Sequence, residues 1–79
     1  MPDISTLNRL APGQAATVTC LATAGDMRRR LQDLGLIEGT AVRCVQRSPL
    51  GDPTAFLIRG AVIALRAEDS AGVMIRYHK

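Results

Sequence analysis

The stretch AVRCVQRSPLGDPTAFLIRG, residues 41–60, decides the fold, because two short apolar segments flank a turn within it. In the first segment Val42 and Cys44 fall on one face, whereas Arg43 and Arg47 fall on the other. This alternation is typical of a half-buried strand. The second segment follows at the spacing of a hairpin. The stretch therefore predicts two antiparallel strands joined by a loop.

The connecting loop, SPLGDP, contains residue types that favour a tight turn. Pro49 fixes its own φ angle, and Gly51 can adopt a positive φ angle. Asp52 can hydrogen-bond to its own backbone ahead of Pro53. These four residues need no partner, but Leu50 at the centre of the loop is not explained in this way. Either Leu50 folds back to close the end of the barrel, or it contacts a partner.

Similar β-like segments recur along the rest of the chain, separated by short turns. The five predicted strands are residues 15–22, 40–47, 54–59, 62–66 and 73–78. Short helical turns are predicted within residues 6–10 and 67–72. The pattern predicts an all-β (mainly β) fold, a small five-stranded barrel or sandwich with one short α-helix inserted after the first strand.

The inserted helix is predicted from a change of hydrophobic period. Met27, Leu31 and Leu34 recur at i, i+4 and i+7, which is the spacing of one helical face. Asp26 is predicted to be the N-cap, and Gly35 is predicted to end the helix in a left-handed conformation. Because an isolated helix of this length is marginally stable, its apolar stripe must dock on the sheet.

The predicted core is aliphatic, because Phe56 and Tyr77 are the only aromatic residues. Cys20 and Cys44 each lie in a β-like segment, so we expect buried, reduced thiols rather than a disulfide framework. The side chains expected in the core are Val18, Val42, Leu57, Ile63, Leu65, Val73 and Ile75, with Leu31 and Leu34 from the helix.

The length and composition of the chain limit the functions that it can have. The 79 residues, 47% of them hydrophobic, are expected to form one globular domain over residues 1–79. No segment approaches the roughly 20 apolar residues that span a bilayer, and the chain is expected to be cytoplasmic. A domain this small has little room for a substrate cavity of roughly 300–1,000 Å³. With a single histidine near the C-terminus, neither catalytic residues nor an enzymatic activity is expected.

Metal ligands are scarce in the sequence. Only Cys20, Cys44 and His78 offer soft or borderline donors. The thiols are predicted to point inward, whereas His78 shares the outward face of the last strand with Met74 and Arg76. A three-ligand site is therefore not expected, and no cofactor is required. A weak surface site for ferrous iron or zinc remains, formed by His78 and a carboxylate of a neighbouring molecule.

The net charge of +3 comes from ten basic and seven acidic residues, and the basic residues include the run Arg28-Arg29-Arg30 of the predicted helix. Such a run is ordinarily a solvated helix face, and the alternative is a patch that faces a partner. A mild positive charge suits nucleic acid, an anionic membrane surface or an acidic protein patch. The shortage of aromatic residues argues against stacking the bases of single-stranded nucleic acid.

Two motifs are specific enough to suggest a family. The first is RLQDLGLIEG, residues 30–39, in the pattern R-L-x-x-L-G-L-x-x-G, and the second is PLGDP, residues 49–53. With these motifs, residues 7–75 resemble the FeoA family of small cytoplasmic accessory proteins of bacterial ferrous iron transport. The resemblance implies an SH3-like β-barrel that works beside FeoB, a large membrane permease with a cytoplasmic GTP-binding domain. The implied fold is similar to the C-terminal domain of diphtheria-toxin-repressor-type proteins, but the DNA-binding half is missing, so no DNA partner is expected.

Two functions from different classes follow. The first is a regulatory module that binds the cytoplasmic side of a FeoB permease, and the second is a basic barrel that binds nucleic acid or a ribonucleoprotein. Binding that falls steeply with salt and is indifferent to Leu50 would favour the second. Self-association of the chain is left open. The docking residues predicted for the first function are Leu50, Pro49, Gly51, Asp52, Arg28 and Arg29.

Overall fold

The computed structural model describes residues 3–78, which form a mainly antiparallel β structure with two short helices. The helices are α1, Gly25–Asp33, and α2, Ala67–Ser70, and a 3-10 turn covers Leu7–Arg9. No helix within the described range is long and apolar enough to cross a membrane. The strands are β1 Ile4–Thr6, β2 Ala15–Leu21, β3 Ala41–Arg47, β4 Thr54–Ile58, β5 Ala61–Leu65 and β6 Val73–Tyr77.

All strands belong to one sheet with the order β1-β6-β2-β3-β4-β5. The strands β3, β4 and β5 follow one another as hairpins, whereas β6 returns to lie between β1 and β2. The predicted mainly β fold with a helix inserted between the first two predicted strands is confirmed. The count is six strands rather than five, because Ile4–Thr6 pairs with β6. Three residues are too few for an alternation to be recognised in the sequence.

The C-terminal end of helix α1 is as predicted, but its N-cap residue is not the predicted one. Its N-cap is Ala24, so the prediction of Asp26 as the cap is wrong, and Asp26 lies instead in the first turn. A carboxylate there still interacts favourably with the helix dipole. At the other end Gly35 has a φ angle of 100°. Its N–H donates to Gln32 O at 2.9 Å and the next N–H, of Leu36, donates to Leu31 O at 3.1 Å, the Schellman pattern.

The core differs from the prediction mainly in β4. Leu57 was expected inside but is 37% exposed, whereas Phe56 and Ile58 are fully buried. The reason is register: Phe56 lies directly opposite the buried Cys44, and cross-strand partners share a face. The apolar run in β4 has no alternation that could reveal this phase. The buried hydrophobic residues are Leu7, Leu10, Ala16, Val18, Leu21, Leu31, Leu36, Val42, Cys44, Phe56, Ile58, Leu65, Val73 and Ile75, with Leu34 and Ile63 only partly buried.

A β-bulge in β2 reverses the faces of its last residues. The register against β6 shifts between Val18 and Cys20, so that Thr19 is the extra residue. An extra residue exchanges inside and outside for everything that follows it. Cys20 is therefore exposed, which makes its predicted burial wrong, and Leu21 takes the inward position. The burial of Cys44 is confirmed.

Candidate partner-docking site

The loop between β3 and β4 is a tight turn held by its own backbone. The N–H of Gly51 donates to Ser48 O at 2.8 Å, and the N–H of Ser48 donates to Pro53 O at 3.2 Å. Pro49 occupies the second position of the turn, where its fixed φ angle is suitable. Gly51 has a φ angle of 86°, which a residue with a side chain adopts poorly. The turn therefore displays Leu50 on a preorganised backbone.

Leu50 is 94% exposed and is the most exposed of the large hydrophobic residues in the described chain. The interpretation in which Leu50 folds back to close the end of the barrel is therefore wrong. Complete burial of a leucine side chain stabilises by roughly 1.5–3 kcal/mol. That free energy is not gained within this fold, so it is available to a contact with another molecule.

Asp52 fastens the loop to the body of the domain. Its Oδ1 accepts a hydrogen bond from the N–H of Ala67 at 2.8 Å, in the first turn of α2, so the carboxylate does not bond its own backbone as predicted. Its Oδ2 lies 4.0 Å from Nη1 of Arg66. The peptide bond that follows, Asp52-Pro53, is cis. Asp52 thus acts on the conformation of the loop rather than as a displayed group.

The two arginines predicted to contact a partner, Arg28 and Arg29, do not line the groove beside the loop. Nη1 of Arg28 donates to Leu21 O at 3.0 Å, so this guanidinium is directed towards β2. Arg29 is exposed on α1. The arginine that lies on the side of the loop is Arg30, which lines a shallow groove together with Pro53 and other residues. The sequence could not make this distinction, because the rotation of α1 on the sheet decides which arginine faces which neighbour.

His78 lies beside the start of β2, near positively charged side chains. Its Nε2 is 2.7 Å from Thr17 Oγ1, and the groove beside it is lined by Arg43 and Arg59. Within residues 3–78 no three His, Cys, Asp or Glu side chains come together as a metal site. The weak site shared between His78 and a neighbouring molecule stays a prediction.

The two aromatic residues do not form a surface platform in the described structure. Phe56 is fully buried, and Tyr77 is partly buried against the core. A binder of single-stranded nucleic acid stacks bases on exposed aromatic rings in a basic groove. The structure therefore adds no feature that favours the nucleic-acid function.

Sequence reasoning missed one further surface. Leu57 and Val62 are adjacent across β4 and β5, and they are 37% and 64% exposed. Arg43 lies opposite Leu57 on the other side, so the three side chains form one row on the outer face of the sheet. Arg43 was expected on the outward face, and a cross-strand partner shares that face, but the register that makes Leu57 this partner is visible only in the structure.

A family model and several solved structures are similar to this chain. The model of the FeoA domain matches residues 5–77. The solution structure of FeoA from Chlorobium tepidum is 32% identical, with a TM-score of 0.86 over 94% of this chain and 70% of that one. The zinc-complexed FeoA of Stenotrophomonas maltophilia, described as a prokaryotic SH3 domain protein, is 28% identical, with a TM-score of 0.79 over 89% of this chain and 87% of that one.

A further relative is much longer than this chain. It is the Fe(2+) transport protein A/Fe(2+) transporter FeoB fusion protein of Porphyromonas gingivalis, 30% identical over 69 residues. The alignment covers 87% of this chain but spans only 8% of the length of the fusion protein. Because the family model matches almost the entire described range and the SH3-like fold agrees with it, this chain belongs to the FeoA family.

Proposed function

We propose that this protein is a cytoplasmic regulatory module of ferrous iron uptake that binds a FeoB-type permease through the loop of residues 48–53. The observation that carries the proposal is Leu50, 94% exposed on a turn whose remaining residues are held by bonds within the domain. The fusion protein of Porphyromonas gingivalis supports the choice of partner, because it joins the two components in one polypeptide. For the relative from Stenotrophomonas maltophilia, a role as a bacterial ferrous iron transport activating factor has been suggested.

The loop suits docking for two physical reasons. A turn that is already ordered in the free protein loses little conformational entropy on binding. An apolar anchor surrounded by polar groups is also the ordinary anatomy of an interface core and its rim. Here Arg30 and Arg66 line the groove beside Pro53 and supply that rim. Ferrous iron is the cargo of the permease in this proposal, and docking through Leu50 does not require the module to bind it.

The module would regulate the permease by binding its conformations with different affinities. A module changes the activity of a permease only if it binds one conformation of the permease more tightly than another. Leu50 supplies apolar contact energy that is realised only in the conformation that exposes a matching pocket. The module therefore acts through its surface, and no catalytic step by its own residues is required.

The test is Leu50→Asp, measured as association with the FeoB-type permease in lipid nanodiscs and as the melting temperature of the free protein. A charge at this exposed position costs little in the free protein, but it is desolvated in the docked state. We expect association to weaken by at least about tenfold, equivalent to about 1.4 kcal/mol, with the melting temperature nearly unchanged.

The matched control is Ile37→Asp, which places the same charge on another large hydrophobic residue, 44% exposed and outside the loop. We expect the control to bind the permease as the unmodified protein does. If Leu50→Asp folds normally and still binds with unchanged affinity, the loop is only a turn and the proposal is wrong.

A further inference from the structure

We propose that the free edge of β5 is a second docking site, which accepts an extended peptide segment carrying carboxylates and aliphatic side chains as an additional strand. This site adjoins the loop of residues 48–53 at the groove that Ala64 shares with Pro53, but it is formed by the edge of β5 and does not depend on the permease. Its geometry, its lack of protection and its surrounding charges each support it.

The geometry leaves backbone groups unpaired along this edge. The two-residue turn Arg59-Gly60 makes Ile58 and Ala61 the closing pair of the hairpin. Because hydrogen-bonded and non-hydrogen-bonded pairs alternate from that point, Val62 and Ala64 direct their N–H and C=O groups away from β4. No backbone hydrogen bond from another segment of residues 3–78 reaches them. An added strand can pair with these groups.

The edge also lacks the devices that normally prevent such pairing. Natural edge strands carry charges, prolines or bulges, or they are covered by another element. The β5 sequence AVIAL has no charge and no proline, and its register against β4 is regular. Val62 is 64% exposed and lies beside Leu57 on the outer face. An aliphatic side chain of the added strand would cover this pair.

The charges favour an acidic occupant. The groove beside the Arg59-Gly60 turn that precedes β5 is lined by Arg43 and Arg59 and has no carboxylate in its lining, although Arg59 also lines a neighbouring groove with Glu38. The ion pair seen among the described residues is that of Arg66 with Asp52, so neither groove arginine has an acidic partner there. Carboxylates of an added segment near the Arg59 end would supply a partner to Arg59 first, because Arg43 lies on β3, beyond β4 and β5.

The same charges disfavour a second copy of this chain. Antiparallel pairing of two β5 strands centred on Ile63 would place Gly60 of one copy opposite Arg66 of the other. Arg59, which precedes Gly60, would then lie next to the same Arg66. Because this happens at both ends of the paired strands, the two copies would bring like charges together. An acidic segment of a different chain avoids that repulsion.

The probe is a capped peptide of alternating glutamate and valine, titrated into the ¹⁵N-labelled full chain and followed by NMR and amide hydrogen exchange. We expect chemical-shift changes along residues 61–65 and at Leu57, Arg43 and Arg59. We also expect the exchange of the Val62 and Ala64 amides to slow on binding. The Ala61 and Ile63 amides, which face β4, should already be protected in the free protein.

Two variants identify the contacts. Ala64→Pro removes an outward N–H without removing a bond to β4, so we expect it to fold and to weaken peptide binding by at least about tenfold. After Arg43 and Arg59 are replaced by glutamate, the chain should bind a lysine-valine peptide of the same length more tightly than the glutamate-valine peptide. Arg9→Glu, which makes the same charge change in the 3-10 turn as either of these single replacements, should bind as the unmodified chain does.

Three results would overturn the proposal. The first is that the glutamate-valine peptide does not bind, and the second is that the lysine-valine peptide binds equally well. The third is that sedimentation shows the chain to be a dimer which Ala64→Pro dissociates. Leu50→Asp should bind the peptide normally, because Leu50 lies in the β3–β4 loop rather than on this edge. Failure of permease docking would therefore leave the result of this experiment unaffected.

Discussion

At the scale of single residues, Cys20 and Cys44 show how one backbone irregularity changes chemistry. Both lie in strands, but the bulge at Thr19 exposes the first and leaves the second in the core. Burial raises the pKa of the Cys44 thiol above its ordinary value, and the charge of Arg47 only partly opposes this. A raised thiol pKa means less thiolate near neutral pH, and the thiolate is the reactive form.

We therefore expect one fast and one slow thiol in the native protein. Labelling with a chromogenic disulfide reagent should modify Cys20 in a rapid phase and Cys44 only as the protein opens. Cys20→Ser should remove the rapid phase, whereas Cys44→Ser should leave it intact. Two thiols that react at the same slow rate would contradict the bulge.

Substitutions at Gly51 and Gly35 would distinguish backbone strain from steric overlap as causes of lost stability. Both have positive φ angles, 86° and 100°. A Cβ at Gly51 would have no atom within 4 Å, whereas a Cβ at Gly35 would lie 2.6 Å from Cδ of Arg59. We expect Gly51→Val to lower the free energy of unfolding by about 1–3 kcal/mol through backbone strain alone.

We expect Gly35→Ala to cost at least its own backbone strain and also to displace Arg59. Urea denaturation of both variants measures the free energies, and NMR of the Arg59 side chain should change only in Gly35→Ala. An unchanged urea midpoint in both variants would show that the left-handed conformations are not required.

At the scale of elements, α1 is held by a smaller contact than its sequence suggested. The stripe was expected to bury Leu31 and Leu34 alike, but Leu31 is fully buried and Leu34 only partly. The Schellman turn at Gly35 carries the chain inward, so that Leu36 is buried after the helix has ended. The docking of α1 therefore depends on Leu31 and Leu36 more than on Leu34.

The corresponding prediction compares truncations in the same helix. Leu31→Ala removes a fully buried side chain and should cost about 2–5 kcal/mol. Leu34→Ala should cost less, because part of its side chain remains in water in the folded state. Urea denaturation of the two variants is the measurement, and a larger loss for Leu34→Ala would contradict this account of the docked helix.

At the scale of the whole molecule, a domain of 79 residues has little stability to lose. At about 0.05–0.15 kcal/mol per residue, its free energy of unfolding is roughly 4–12 kcal/mol. A truncation in the core therefore removes a large share of the total, whereas a change at an exposed anchor does not. This contrast is what allows binding and folding to be separated in the variants of Leu50.

The salt dependence of binding distinguishes the permease-binding function from the nucleic-acid-binding function. The docking proposed for Leu50 would be mainly apolar, and exposed charges more than about 10 Å apart are largely screened at 0.1 M salt. We expect association with the permease to change little between low and moderate salt. Binding to nucleic acid would weaken steeply over that range. A steep decrease that Leu50→Asp does not alter would contradict the permease proposal.

The mainly β class, the position of the inserted helix, its end at Gly35 and the position of the turn around Leu50 could all be predicted from the sequence. These features depend on local period and turn chemistry, which act within a few residues of one another. Only the tertiary structure decided that Cys20 faces outward, that Phe56 replaces Leu57 in the core, and that the edge of β5 is free. These features depend on strand register, which is set by pairing between distant segments, and one inserted residue reverses the faces of a strand.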